Sequence, residues 1–151
     1  MCGRFTLTAP SEVIEARFRV RVDSDYLPRY NIAPTQPVLC VVARGGERAT
    51  EDLRWGLVPS WAKNLKAGHT MINARAETVG EKPAFRDALA KRRCLVPADG
   101  FYEWRGSGKN RTPIRFTLAS EGVFAFAGLW DTWRSPDGVW VPTCTIITTT
   151  P

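Results

Sequence analysis

Phe5-Thr6-Leu7-Thr8 alternates apolar and polar residues, and this period of two predicts a short strand that holds the N-terminus inside the fold. A helix is expected next. Thr8 is a candidate cap, Pro10 suits a first turn, Glu12 complements the helix dipole, and Ile14 and Phe18 share a face at i,i+4. Arg17, Arg19 and Arg21 alternate with Phe18, Val20 and Val22 and read as a solvated face. Tyr30 to Pro37 carries too much proline for regular structure and reads as an ordered loop. Val38 to Ala43 and Ala49 to Trp55 form a hairpin pattern around Gly45-Gly46. The loop Gly56 to Trp61 places apolar residues where burial is not assured, so a contact surface is expected there.

Lys63 to Thr70 is polar and is expected to be mobile. Pro83 to Lys91 predicts a second helix with Phe85, Ala88 and Leu89 inward. Cys94 to Pro97 reads as a buried strand, and Ala98-Asp99-Gly100 turns the chain into Phe101 to Trp104. Arg105 to Thr112 is a polar loop, followed by strands over Pro113–Leu118, Val123–Trp130 and Val139–Thr150. The mixture of strand runs and two helices predicts an α+β class.

The chain has 151 residues, enough to bury a core without disulfides. Its four cysteines are widely spaced and it has one histidine, which excludes a zinc-ligand pattern; no metal and no cofactor are expected. Cys40, Cys94 and Cys144 sit in apolar contexts and read as reduced core thiols. No run of about 18 apolar residues offers a membrane span, and Arg4 interrupts any leader-like start. A cytoplasmic, nucleoid-associated monomer is expected. The net charge of +6 favours a polyanionic partner. Six tryptophans interleaved with basic residues suit single-stranded nucleic acid, where phosphates need cations and unstacked bases need flat faces.

The candidate chemistry lies at Met1-Cys2. Removal of Met1 would leave a cysteine with a free α-amine, a 1,2-aminothiol. Its amine condenses with an aldehyde to an imine, and its thiolate can close on the imine carbon to a five-membered thiazolidine. Reference pKa values of about 7.7–8.0 for the amine and 8.5 for the thiol leave neutral amine near pH 7. Arg4 is near enough in sequence to assist the thiolate. Asn73 and Arg75 stand close together, an amide that can orient an oxygen and a guanidinium that can grip a phosphate. Glu103 lies between aromatic neighbours, where desolvation would raise its pKa and suit it to acid–base work; a surface glutamate on an edge strand fits the local pattern equally. His69, in a polar loop, reads as a surface residue.

Met1-Cys2-Gly3-Arg4-Phe5, YNIAPTQ at 30–36, RWGLVPSW at 54–61, MINARAE at 71–77 and RCLVPADGFYEW at 93–104 together resemble the SRAP family (SOS-response-associated peptidase), and FAGLW at 126–130 agrees. The resemblance runs over the whole chain. It implies bent, barrel-like antiparallel sheets with a few peripheral helices in a single SRAP-like domain over 1–151. It also implies recognition of abasic sites in single-stranded DNA and covalent joining to them. On this resemblance Cys2 is the crosslinking nucleophile, Asn73 positions the sugar and the amine, and Glu103 is the acid–base. Arg4 and Arg75 hold phosphates, while Pro34 and Trp61 pack on neighbouring bases. Family members continue past the TIITTTP segment with an active-site histidine in an HxRMP motif, so the domain is expected to be incomplete at its C-terminus. Two other readings remain open: an N-terminal-nucleophile cysteine peptidase, and a non-covalent single-strand binding module in which Cys2 is incidental.

Overall fold

A computed structural model describes residues 1–150; Pro151, the last residue of the expected domain, lies outside the described residues. The α+β fold has ten strands: β1 (Phe5–Leu7), β2 (Arg29–Ile32), β3 (Pro37–Arg44), β4 (Glu47–Trp55), β5 (Asn73–Arg75), β6 (Arg93–Ala98), β7 (Gly100–Arg105), β8 (Thr112–Phe116), β9 (Phe124–Arg134) and β10 (Trp140–Thr148). Two helices, α1 (Ser11–Phe18) and α2 (Pro83–Lys91), and a 3₁₀ turn over Leu65–Thr70 complete it. One sheet runs β4-β3-β6-β9-β10-β5 and is closed into a barrel by pairing of β4 with β10; the other runs β2-β1-β7-β8.

Most pairings are antiparallel, as the hairpin patterns predict. β10 departs from this, pairing in parallel with β4 at Thr143 and Cys144 and then with β5 from Ile146 to Thr148. One edge of β10 is thus handed from β4 to β5. Between the two strands the chain makes an excursion over residues 56–72. The hand-over is stitched by Gly56 N–H to the Cys144 carbonyl (2.8 Å) and Ile146 N–H to the Ile72 carbonyl (3.0 Å). It also demands glycine: Gly56 has φ +125°, and a Cβ there would lie 2.5 Å from the Gly68 carbonyl oxygen.

Several local expectations change in this context. Leu57 and Val58 are fully buried, because the excursion packs on the barrel; Val58 N–H donates to the Thr143 hydroxyl at 2.9 Å. Within that expected contact loop, Trp61 is the large residue left exposed. Residues 29–32 form a strand, since β1 offers them an edge that the proline content does not reveal, and only 33–36 remain a turn. Thr8 does not cap α1: the N-cap is Pro10, and the Thr8 hydroxyl donates to Asp99. The polar run before Met71 contains the 3₁₀ turn, capped by the Asn64 side chain accepting from Lys66 N–H. Cys40, Cys94 and Cys144 are free and buried, as their apolar contexts predict.

β1 is bound to the rest of the protein in two ways. On one side Phe5 is 1% exposed and meets the rings of Trp55 and Phe126 edge-on, with centroids 5.2 and 5.7 Å away. Such a burial contributes about 2–3 kcal/mol, with aromatic geometry adding to it. On the other side the Asp99 carboxylate, in the turn between β6 and β7, accepts from the Thr6 hydroxyl (2.6 Å), the Thr8 hydroxyl (2.8 Å), Ala9 N–H (2.9 Å) and Thr8 N–H. Arg115 Nη2 stands 3.4 Å away. Burial alone would raise the Asp99 pKa, but the donors of Thr6, Thr8 and Ala9 outweigh it and hold the carboxyl below its ordinary value.

Asp99→Asn should therefore destabilise the fold by about 2–3 kcal/mol near neutral pH, read by denaturant unfolding. A depressed folded-state pKa stabilises above the unfolded value of about 3.9 and ceases to as pH falls through the folded value. The gap between Asp99→Asn and the parent should accordingly shrink below about pH 4; a gap independent of pH would show that the carboxylate is not the clamp.

Candidate functional site

Clamping β1 leaves Met1-Cys2-Gly3-Arg4 at the mouth of the barrel, where β5 and β7 converge on it. Cys2 is 6% exposed, while Met1 remains 80% exposed. The Met1 ammonium lies 3.2 Å from Glu103 Oε1, a carboxylate that β7 carries at the same mouth. Asn73, the first residue of β5, donates from Nδ2 to the Cys2 carbonyl at 2.8 Å. Its Oδ1 is buried and has no donor among the described residues. A buried acceptor without a partner is costly, and a ligand hydroxyl or amine would remove the cost.

The Cys2 thiol points back into the fold, donating to the Arg4 carbonyl with Sγ 3.9 Å from the oxygen. Its pKa is pushed up to about 11. Burial is the main cause; a backbone hydrogen bond with Arg4 and the terminal ammonium pull it down only in part, and the Glu103 charge pushes it further up. With Met1 in place the thiol is therefore protonated at neutral pH. Arg4 bears on the sulfur through its backbone and not through its guanidinium.

Arg4 makes no ion pair with a carboxylate among the described residues. Its Nη1 donates to Asn31 Oδ1 at 2.9 Å, its guanidinium lies 5.9 Å from the Trp104 ring centroid, and its Nε is buried without an acceptor. Arg75 is exposed and lines a cleft with Met1, Glu77 and Thr148–Thr150. Glu77 Oε1 accepts from Thr150 N–H (3.0 Å) and from the hydroxyls of Thr149 (3.2 Å) and Thr150 (3.3 Å), contacts that lower its pKa, the Thr150 N–H most. These bonds fix the wall of the cleft beside Arg75.

The site residues read from the sequence are thus gathered unequally. Cys2, Asn73 and Glu103 meet around the N-terminus, with Arg4 and Arg75 flanking it. Pro34 is half-buried in the 33–36 turn, which is tied to Trp55 through Thr35 N–H, and Trp61 is exposed on the 56–72 excursion; neither joins the hydrogen-bonded cluster. His69 is exposed in the 3₁₀ turn. Asn31 and Glu77 were not singled out by the sequence. Both lie within recognisable blocks, but their roles depend on partners 27 and 72 or more residues away. Among the described residues no group of His, Cys, Asp and Glu is arranged to hold a metal, and no helix is long and apolar enough to cross a membrane.

A closed barrel holding its own N-terminal Met-Cys beside a carboxylate and an amide is the architecture on which the comparisons bear. The sequence model of the SOS response associated peptidase (SRAP) family matches residues 1–151, and the chain belongs to that family. It is 48% identical over 155 residues to the abasic site processing protein YoqW of Bacillus subtilis, covering 100% of this chain and 69% of the relative. With the abasic site processing protein HMCES of Mus musculus it shares 33% identity over 198 residues, covering 98% of this chain and 56% of that protein. A solved structure from Bacteroides thetaiotaomicron superposes with a TM-score of 0.87 at 28% identity, over 98% of this chain and 68% of the other. One from Bordetella bronchiseptica gives 0.85 at 28% identity, over 99% and 73%.

The electrostatics of Cys2 make a direct prediction. In protein retaining Met1, alkylation of Cys2 by a neutral haloacetamide, followed by peptide mass spectrometry, should climb about tenfold per pH unit to beyond pH 10; an ordinary cysteine levels off near 8.5. Glu103→Gln should speed the reaction at fixed pH by removing a nearby negative charge. A plateau near pH 8.5 in the parent would refute the buried, neutral thiol.

Proposed function

We propose that this chain, after Met1 is removed, captures abasic sites in single-stranded DNA as a thiazolidine through Cys2. The observation that carries the reading is the convergence of Glu103 and Asn73 on the N-terminal dipeptide: a carboxylate 3.2 Å from the terminal ammonium and an amide holding the Cys2 carbonyl at 2.8 Å. Membership in a family whose relatives are named abasic site processing proteins supports the substrate class.

An abasic deoxyribose in its open form carries an aldehyde at C1′. Glu103 takes a proton from the Cys2 ammonium, and the neutral amine adds to C1′ to give a carbinolamine. The protonated Glu103 then returns its proton to the departing hydroxyl, so that one water leaves and an iminium forms. The thiol transfers its proton to Glu103, and sulfur adds to the iminium carbon, closing the ring with a neutral secondary amine. Aldehyde plus aminothiol has become thiazolidine plus water.

In this order the amine attacks first, because a protonated thiol is a poor nucleophile; the positive iminium then favours the thiolate beside it. The open Oδ1 of Asn73 is suited to accept from a sugar hydroxyl or from the freed amine. Arg4 and Arg75 supply positive charge for the flanking phosphates, and the exposed Trp61 supplies a face for a neighbouring base. A protein working on chromosomal single strands is expected in the cytoplasm at the nucleoid.

Met1-processed protein incubated with an abasic oligonucleotide should yield an adduct that survives a denaturing gel, with a mass equal to the sum of the two less one water. Cys2→Ala should abolish it, and Glu103→Gln should slow it about 10²- to 10⁴-fold, the range for losing a general acid–base. Binding without any denaturation-resistant adduct would favour a non-covalent module. Peptide cleavage independent of DNA would favour a peptidase.

A further inference from the structure

We propose that Asn31 is a positioning residue for DNA: it orients the Arg4 guanidinium toward a phosphate of the captured strand without neutralising it. The proposal rests on the reading above, in which a single strand passes the barrel mouth. Asn31 lies on β2, an edge strand of the four-stranded sheet, and reaches Arg4 on the adjacent N-terminal segment, 27 residues away in sequence. Its Oδ1 accepts from Arg4 Nη1 at 2.9 Å, and the Trp104 ring lies 5.9 Å from the guanidinium carbon. A flexible side chain is thereby held from one side by an acceptor and supported by an aromatic ring.

The chemical identity of the acceptor is what points to an anionic ligand. Positively charged groups near a protein surface are commonly paired with carboxylates, as Arg44 is with Glu51 (2.7 Å) and Arg115 with Asp99 (3.4 Å). Arg4 has a neutral amide there and no carboxylate ion pair among the described residues, so its full charge stays available. Its Nε is in addition buried without an acceptor, a donor that the fold has left unused. β2 is itself anchored: the Tyr102 hydroxyl donates to the Tyr30 carbonyl at 3.2 Å, which fixes the strand next to Asn31. An ordered guanidinium with its charge unneutralised is what a phosphate contact requires.

The test uses the full chain with Cys2→Ala, so that binding is non-covalent. The probe is a single-stranded oligonucleotide containing a tetrahydrofuran abasic analogue, titrated at several salt concentrations. Losing one phosphate contact to a single strand lowers the slope of log affinity against log salt by about 0.7. Asn31→Ala and Arg4→Ala should each show that loss and weaken binding about five- to tenfold at 100 mM salt, and the double variant should be no worse than Arg4→Ala. Asn31→Asp keeps an acceptor in place but pairs the guanidinium with a carboxylate; it should preserve the melting temperature and still lose the slope. Parental salt slopes in both Asn31 variants alongside a lowered slope in Arg4→Ala would overturn the positioning role while leaving the DNA-binding reading intact. An unaltered slope in Arg4→Ala itself, or additive losses in the double variant, would overturn it as well.

Discussion

The burial of Phe5 against Trp55 and Phe126 is the constraint on which this structure turns. The Met1-Cys2 dipeptide lies at the N-terminus, where a polypeptide ordinarily frays. Placing a fully buried aromatic three residues after Cys2, and clamping the following residues to Asp99, removes that freedom. Ordering the terminus costs conformational entropy on the order of 1–2 kcal/mol per residue. Aromatic burial and the charge-assisted bonds of Asp99 offset it, and Cys2 is held buried close to the terminus.

The site built on that anchor is economical in charge. Glu103 is the carboxylate within reach of the terminus, and it serves two opposed ends: it holds the terminal ammonium and it disfavours the Cys2 thiolate. A second arrangement runs in parallel on the neighbouring strands, where Arg4 is oriented by an amide and left unneutralised. The Glu103 carboxylate and the Arg4 guanidinium are thus held by separate partners and do not pair with each other.

β10 links the two halves of the site. Its one edge pairs with β4, then with β5, and this succession delivers Asn73 to the barrel mouth opposite Cys2. The excursion over 56–72 is the consequence of that geometry. It can pack only because Gly56 and Gly68 let two backbones approach where any Cβ would collide. Leu57 and Val58, which look like surface residues in a proline-bounded loop, become core because the excursion lies on the barrel wall.

Elements dominated by local pattern were legible in the chain: the β3–β4 hairpin, both helices, the β6 and β9 strands and the buried cysteines follow from periodicity and short-range turn chemistry. The functional groups around the N-terminus were legible in kind, because a second-position cysteine, Asn73, Arg75 and Glu103 carry them wherever they are folded. Tertiary structure decided what those groups experience. The parallel pairings of β10, the strand at 29–32, the high pKa of Cys2 and the partnership of Arg4 with Asn31 all arise between residues far apart in sequence. Desolvation, edge pairing and hydrogen-bond geometry depend on those long-range neighbours, and a linear pattern does not contain them.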